Sequence, residues 1–177
     1  LLEKPVISLC MIVKDEEEAL PHCLASAAPY VDEIVVVDTG STDDTVAIAK
    51  KCGATVVETQ WEDDFSKARN LAIEHVTNPW IMSIDADHVL ETDHLTALLV
   101  AIERGEEGNH EVGYVDLKHR ESGSTHSGAW FFRNKPDIRW TGRIHEVLTK
   151  IATYRTGLRQ VYDKSPAHTL DPDRNLR

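Results

Sequence analysis

This sequence is poor in cysteine, in long apolar runs and in basic residues, and each shortage excludes a class of protein. Three cysteines in 177 residues form no C-x-x-C pair and no complete disulfide set, which fits a reducing, cytoplasmic compartment and small buried thiols. No apolar run approaches the roughly 18 residues that a membrane span needs. Lys plus Arg is 19 against 30 Asp plus Glu, a net charge of −11, so we expect no nucleic-acid partner.

The chain is long enough for one domain with a substantial core. Its hydrophobic content of 41% and charged content of 28% are ordinary for a globular protein. It begins with Leu rather than Met, which fits a piece of a longer protein, and its first five residues resemble neither a signal nor a transit peptide. We expect no repeat domain in it.

The first half alternates between apolar segments and amphipathic segments with helical spacing. Such alternation predicts an α/β fold with a parallel sheet covered on both faces. The predicted strands are 6–13, 33–37, 55–59 and 80–84, and the predicted helices open near Pro21, at Ser41 or Thr42, near Ser66 and at Thr92.

The second half changes character. Short alternating segments from Val112 to Val161, with Gly and Pro between them, predict antiparallel strands and long loops. Residues 105–109 are interpreted as a surface loop and as the best candidate for a boundary between the two halves. We nevertheless expect one domain over residues 1–177.

Two aspartates end the apolar run that starts at Trp80. If the extended conformation continues, Asp85 and Asp87 share a face and can jointly hold Mg²⁺ or Mn²⁺. The carboxyl ends of strands in open α/β sheets are also where ligands bind. The alternative is a strand that simply ends in Asp, because Asp favours turns.

Residues 38–45 follow the second predicted strand directly. The carboxylate of Asp38 could accept hydrogen bonds from a base or ribose, and Gly40 permits a tight turn and a close backbone approach. The alternative is a turn followed by a helix cap. Neither a dinucleotide fingerprint nor a Walker loop is present.

Two further stretches combine charged and aromatic residues. Arg69, at a helix start, could pair with a phosphate or with a neighbouring Asp, or could lie on a solvated helix face. Trp140 could stack against a sugar ring or fill the core, and Glu146 could take a proton from an attacking hydroxyl. If this second stretch is a strand, alternation allows only one of His145 and Glu146 to face a cleft.

Five stretches, taken together and in this order, resemble family 2 glycosyltransferases with the GT-A fold. The nearest resemblance is to the bacterial subgroup that is often fused to tetratricopeptide repeats. It implies a mostly parallel central sheet flanked by helices, a small antiparallel C-terminal part, a nucleotide-binding half in 1–104 and an acceptor- and metal-completing half in 110–177. The stretches are residues 8–17, 37–45, 61–70, 84–87 and 140–146.

The resemblance implies that the nucleotide is held by residues of the first half. The end of the first strand, from Val13 to Glu17, corresponds to the lip around the base, with Glu17 a contact to ribose or base. Asp38 corresponds to the base-binding aspartate, and Arg69 to the basic residue near the base and phosphates. Asp85 corresponds to the ribose-side member of the Asp-x-Asp motif.

The resemblance also implies a metal-dependent, inverting transfer from a nucleotide-diphosphate sugar, with a UDP-sugar as the expected donor. Asp87 corresponds to the direct ligand of Mn²⁺ or Mg²⁺, and His168 to the C-terminal histidine that completes the metal shell. Glu146 is the candidate base, with Asp116 or His145 next. The acceptor, whether glycan, lipid, peptide or small molecule, is not specified by these motifs.

One departure from the subgroup pattern is His88, which stands where an acidic residue often follows the Asp-x-Asp motif. It suggests either a cationic or a metal-proximal role.

Two other functions fit parts of the sequence. Residues 85–89 match the D-x-D-x-[T/V] strand of haloacid-dehalogenase-like phosphatases, with Asp85 as the nucleophile and Asp87 as the acid/base. That motif usually opens its fold, whereas here three strand–helix units precede it. The other alternative is a non-catalytic module that binds nucleotide sugar or glycan.

Overall fold

A computed structural model describes residues 6–91 and 94–162 of the chain. These residues form ten strands and four helices. The elements are β1 Ile7–Val13, α1 Leu20–Ala27, β2 Glu33–Asp38, α2 Thr45–Lys51, β3 Thr55–Glu58, α3 Phe65–Glu74, β4 Trp80–Ser83, β5 His88–Leu90, α4 His94–Glu107, β6 Val112–His119, β7 Thr125–Arg133, β8 Trp140–Thr141, β9 Val147–Leu148 and β10 Tyr154–Tyr162.

Eight of the strands form one mixed sheet in the order β3-β2-β1-β4-β7-β6-β10-β5, and β8 and β9 form a separate small hairpin. Strands β1 to β4 pair in parallel, as does β10 with β6. Strand β7 runs antiparallel to both β4 and β6, and β5 antiparallel to β10. The predicted α/β class, with a mostly parallel sheet and an antiparallel C-terminal part, is confirmed.

The apolar character of the first strands explains their central position. Strands β1, β2 and β4 are buried along nearly their whole length, as parallel strands covered on both faces are. Two hydrophobic clusters, one on each side of the sheet, form the core. Within the described residues, no helix is both long and apolar enough to cross a membrane.

The predicted helix starts are right in two of the four cases. Pro21 lies in the first turn of α1, and Ser66 is the second residue of α3. Helix α2 begins at Thr45 rather than at Ser41 or Thr42, because the backbone amide of Ser41 already donates to a carboxylate of the preceding turn. Thr92 lies outside the described residues.

The predicted surface loop starts too early, because α4 continues to Glu107 and buries Gly105 against the sheet, and only Gly108 and Asn109 form an exposed turn. A Cβ atom at Gly105 would lie 2.7 Å from Cη2 of Trp80 and 3.0 Å from the hydroxyl of Tyr154. Trp80 cannot yield easily, since it stacks on Phe131 with ring centroids 4.8 Å apart and lies beneath Arg133. The glycine therefore marks close helix–sheet packing, not a break between halves.

The three cysteines are not all buried. Cys10 and Cys23 are buried free thiols, but Cys52 is exposed at the end of α2, so the expectation of buried thiols fails for one of the three. Burial raises the pKa of the Cys10 and Cys23 thiols far above the ordinary value of 9.0.

We predict that Gly105→Ala lowers the free energy of unfolding by about 1–3 kcal/mol, because overpacking against Trp80 exceeds the roughly 1 kcal/mol that alanine gains in a helix. Urea denaturation followed by circular dichroism measures the change. Glu103→Ala, at an exposed position of the same helix, is the control and should change stability by less than about 0.5 kcal/mol. A more stable Gly105→Ala variant would show that the helix does not pack this closely.

Candidate active site

The carboxyl ends of the parallel strands meet at one edge of the sheet, but β4 ends before β1 and β2 do. Val13 pairs with Asp38, so β1 and β2 end together, whereas the last residue of β4, Ser83, pairs with Cys10. Strand β1 therefore extends three residues beyond β4. The residues that follow Ser83 therefore lie next to the last three residues of β1, beside the loops that follow β1 and β2.

The loops after β1 and β2 are joined by reciprocal hydrogen bonds. The Asp15 amide donates to Ser41 Oγ at 2.8 Å, and the Asp15 carboxylate accepts from the Thr42 amide at 2.7 Å. The Glu17 carboxylate accepts from the Asp44 amide at 3.0 Å. Glu17 thus has a structural partner in this structure, and its contact with ribose or base stays a prediction.

Val13 and Asp38 lie at the base of these loops. The carbonyl oxygen of Val13 accepts hydrogen bonds from the amide and the hydroxyl of Thr39. The buried carboxylate of Asp38 accepts from the amides of Gly40 and Ser41, both at 3.0 Å. This is the turn that the alternative interpretation of the sequence predicts. A carboxylate has about four acceptor positions, so a role in base binding remains compatible with it.

The Asp-x-Asp segment is a turn and not an extended strand. Strand β4 ends at Ser83, and the amide of His88 donates to the carbonyl of Asp85 at 3.0 Å. The expectation that Asp85 and Asp87 share one face of a continuing strand is therefore wrong in its geometry, because the turn directs the two side chains to different partners. Those partners are Arg69 for Asp85 and His88 for Asp87.

Arg69 connects the Asp-x-Asp turn to the candidate base. Its Nη2 donates to Asp85 Oδ1 at 2.9 Å, and its Nε donates to Glu146 Oε1 at 2.7 Å. The side chain is only 6% exposed, so the predicted solvated helix face is wrong for this residue. Its guanidinium also lies 4.9 Å from the ring centroid of Trp130 and 5.3 Å from that of Trp140.

The two carboxylates decide the charge state of Arg69. Burial on its own disfavours the guanidinium charge, but Asp85 and Glu146 outweigh it and hold the pKa of Arg69 above its ordinary value. Arg69 is therefore a permanent cation whose charge is already balanced within the protein. The sequence suggested a phosphate or a neighbouring Asp as its partner, and the structure gives it two carboxylates.

Glu146 reaches Arg69 from the loop between β8 and β9. This loop is fastened to α3, because the Asn70 side chain donates to the Trp140 carbonyl and accepts from the Trp140 amide, both at 2.9 Å, and the Phe65 amide donates to the Arg143 carbonyl at 3.0 Å. Trp140 is buried and fills the core. The segment after it is a loop rather than a strand.

His145 and Glu146 differ in exposure, but not through strand alternation. His145 has a positive φ of 56° and is exposed, whereas the Glu146 side chain is only 13% exposed. The other alternative base, Asp116, lies on β6 and accepts from Ser127 Oγ and Arg155. Of the three candidate bases, Glu146 is therefore the one joined to the Asp-x-Asp turn.

The buried thiol of Cys23 lies beside the Asp-x-Asp turn. The Cys23 thiol lies 3.5 Å from the carbonyl oxygen of Asp85. Its pKa is raised first by burial and then by the negative charges of Asp85, Asp87 and Glu16. The negative charges of these three side chains therefore all act on the same buried thiol, and the neighbouring cation Arg69 is already paired.

The described residues supply at most part of a metal shell. Within 6–91 and 94–162, no three His, Cys, Asp or Glu side chains are grouped so as to hold a metal ion. His168, the predicted second ligand, lies outside the described residues. The donors still fit, since Mg²⁺ and Mn²⁺ are commonly held by one or two carboxylates together with substrate phosphates and water.

Sequence reasoning missed two residues that the fold brings to this site. Trp130 on β7 packs against Arg69, and Gln160 on β10 donates to the Ser83 carbonyl at 3.1 Å. Neither belongs to a recognisable motif. Their positions follow from the pairing of β7 with β4 and of β10 with β5, which sequence spacing does not reveal.

Residues 8–165 match the family described as Glycosyl transferase family 2. The chain belongs to that family. The predicted resemblance is thereby confirmed, and the haloacid-dehalogenase alternative loses its support.

Two curated relatives resemble the family 2 chain at moderate identity. A TPR repeat-containing protein of Synechococcus elongatus is 43% identical over 152 residues, which are 80% of this chain and 35% of that protein. The SPbeta prophage-derived glycosyltransferase SunS of Bacillus subtilis is 41% identical over 95 residues, 52% of this chain and 22% of that protein. The chain thus spans about a third or less of these relatives.

Solved structures share the fold of the family 2 chain. TarS 1-349 of S. aureus in complex with UDP has a TM-score of 0.67 at 17% identity, covering 93% of this chain and 62% of the TarS 1-349 chain. The complex of TarS 1-349 with UDP-GlcNAc has the same TM-score at 17% identity, covering 90% and 58%. The predicted GT-A fold is confirmed by this likeness.

We predict that Arg69→Met lowers the free energy of unfolding by about 3 kcal/mol. Removing the cation leaves two carboxylates facing each other. We expect a loss at the lower end of the range for breaking a buried ion pair, because 35% of the Asp85 side chain is exposed. Urea denaturation measures it. Lys67→Met on the same helix removes an exposed ion pair with Glu62 and should cost less than about 1 kcal/mol. An equal loss in both variants would contradict the buried connection.

Proposed function

We propose that the chain is the catalytic domain of a metal-dependent, inverting glycosyltransferase that moves a sugar from a nucleotide diphosphate to an acceptor nucleophile. Membership of family 2 supports the reaction class. The observation that carries the assignment of residues is the pair of bonds from Arg69 to Asp85 and Glu146. They join a donor-side motif to a candidate base through Arg69, which lies 77 residues before Glu146 in the sequence.

The donor is proposed to lie along the carboxyl edge of the sheet. The nucleotide would sit over Val13, Glu17 and Asp38, with its ribose toward Asp85 and its diphosphate toward Asp87. TarS, which shares the fold, has been crystallised with UDP and with UDP-GlcNAc. A UDP-sugar is therefore the first donor to test.

The proposed metal requirement follows from the charge of the site. The charges of Asp85, Asp87 and Glu16 all act on the buried thiol of Cys23 beside the turn, and Arg69 is paired with two carboxylates. A diphosphate placed here meets repulsion from these carboxylates. A Mg²⁺ or Mn²⁺ ion at Asp87, with His168 as the predicted second ligand, supplies the missing positive charge and acts as a Lewis acid for the leaving diphosphate.

Glu146 is proposed to accept the proton of the acceptor hydroxyl as that oxygen attacks the anomeric carbon. The new bond forms on the face opposite the diphosphate, the bond from the anomeric carbon to the diphosphate oxygen breaks, and its electron pair leaves with the nucleotide. A single displacement of this kind inverts the configuration. Arg69 holds the Glu146 carboxylate in position through the bond to Oε1 and is thus a positioning residue.

We predict that Asp87→Asn abolishes metal-dependent hydrolysis of the donor, because the substitution keeps the shape but removes the ligand's charge. Nucleotide release from a UDP-sugar, measured with and without Mn²⁺, tests this. Asp137→Asn, at an exposed carboxylate, is the matched control and should leave the rate unchanged. Unchanged hydrolysis in Asp87→Asn would remove the metal role of this residue.

We predict that Glu146→Gln lowers kcat about 10²–10⁴-fold, the usual contribution of a general base, while donor affinity stays near that of the native protein. The amide oxygen can still accept from Arg69 but cannot take a proton. Transfer kinetics and UDP titration separate the two effects, with Glu74→Gln on the exposed side of α3 as the control. A full transfer rate would shift the role to Asp116 or His145.

A panel of nucleotide sugars, titrated with and without Mn²⁺ and assayed for released nucleotide, distinguishes an enzyme from a non-catalytic binding module. Binding without turnover in the presence of every acceptor class would favour the module. The sugar and the acceptor depend on pocket shape outside the motifs. A cytoplasmic location stays a prediction from the cysteine content.

A further inference from the structure

His88 is the first residue of β5, directly after the Asp-x-Asp turn. Its ring is buried, and one of its two nitrogens is hydrogen-bonded within the protein. Its Nδ1 lies 2.8 Å from Oε1 of Gln160, a residue with no exposed surface. The Nε2 amide nitrogen of Gln160 donates to the carbonyl oxygen of Ser83 at 3.1 Å. A chain of hydrogen bonds therefore runs from the end of β4 through β10 to the histidine ring.

This chain fixes the direction of the His88 hydrogen bond. The carbonyl of Ser83 can only accept, so the side chain of Gln160 must place its NH₂ group toward Ser83 and its oxygen toward His88. That oxygen can only accept in turn, so His88 Nδ1 carries the proton. In the neutral imidazole the lone pair is then on Nε2, the nitrogen that can bind a cation.

The Nε2 atom of His88 lies 3.7 Å from Oδ1 of Asp87. Protein oxygen and imidazole nitrogen ligands lie about 2.1 Å from ions such as Mg²⁺ and Zn²⁺. Adjacent donors of an octahedral ion lie about 3.0 Å apart, so a shift of less than about 1 Å would let both atoms contact one ion. Metal-binding histidines almost always donate their other ring N–H to a fixed acceptor, and Gln160 is such an acceptor.

Packing alone does not account for this arrangement. Tyr162 and Trp130 lie beside the ring, with centroids 5.2 Å and 6.3 Å away, and they explain why its faces are buried. They do not explain why Nε2 lies 3.7 Å from the carboxylate of Asp87, nor why a fully buried glutamine is hydrogen-bonded to the other ring nitrogen.

We propose that His88 Nε2 is a ligand of the divalent cation beside Asp87, with Gln160 as its positioning residue. The inference rests on the proposed metal-dependent function. It also implies a preference among cations, because an imidazole nitrogen suits Mn²⁺ better than Mg²⁺, which favours oxygen ligands. The residue that departs from the subgroup pattern would thus adapt the site to manganese.

Mn²⁺ bound to the protein with UDP provides a direct test, since electron spin echo modulation from ¹⁴N reports a nitrogen ligand. We expect the modulation in the native protein and its loss or reduction in His88→Asn, whose amide can still donate to Gln160. Gln160→Met should weaken Mn²⁺ binding about 10–100-fold, and His88→Asp should shift the preference toward Mg²⁺. His75→Asn, at the exposed end of α3, is the control and should behave as the native protein.

The outcomes separate this inference from the proposed function. Weakened Mn²⁺ binding in Asp87→Asn, together with undiminished ¹⁴N modulation and native affinity in His88→Asn, overturns the role of His88 and leaves the metal-dependent function standing. Native Mn²⁺ binding in Asp87→Asn contradicts the metal site itself. Loss of nitrogen modulation in His88→Asn with a folded, UDP-binding protein supports the inference.

Discussion

The buried charge of Arg69 is the constraint on which the site depends. Removing an ion from water costs several kcal/mol unless it is closely paired, and this guanidinium is paired with Asp85 and Glu146 while two tryptophans lie beside it. The three segments that supply these groups, α3, the turn after β4 and the loop after β8, are therefore held together. Loss of Arg69 would leave both carboxylates without this cation, whereas loss of either carboxylate would leave Arg69 with one ionic partner instead of two.

The same pairing limits what Arg69 can do for a substrate. An arginine whose charge is already balanced by two carboxylates contributes little to neutralising a diphosphate. The neighbouring Asp87 and Glu16 increase the negative potential at the edge of the sheet. The proposed requirement for a bound cation rests on this arrangement of charges, together with the chain's overall charge of −11.

Sequence patterns were sufficient for the strand–helix alternation and for naming Asp85, Arg69 and Glu146 as candidate site residues. They could not give the bond between Arg69 and Glu146, because it joins residues far apart in sequence through a hairpin packed on a helix. Gly105 was misread as a loop signal, because only tertiary packing shows that the missing side chain leaves room for the ring of Trp80. Gln160 gave no signal at all, since a lone buried amide acquires its role from its partners.

The central claim is that a diphosphate can bind at this edge of the sheet only together with a divalent cation. Calorimetric titration of UDP into the native protein, in EDTA and in saturating Mn²⁺, tests it most directly. The charges of the site predict affinity at least about tenfold higher with Mn²⁺, a difference of about 1.4 kcal/mol or more. Equal affinity in EDTA and in Mn²⁺ would contradict the claim.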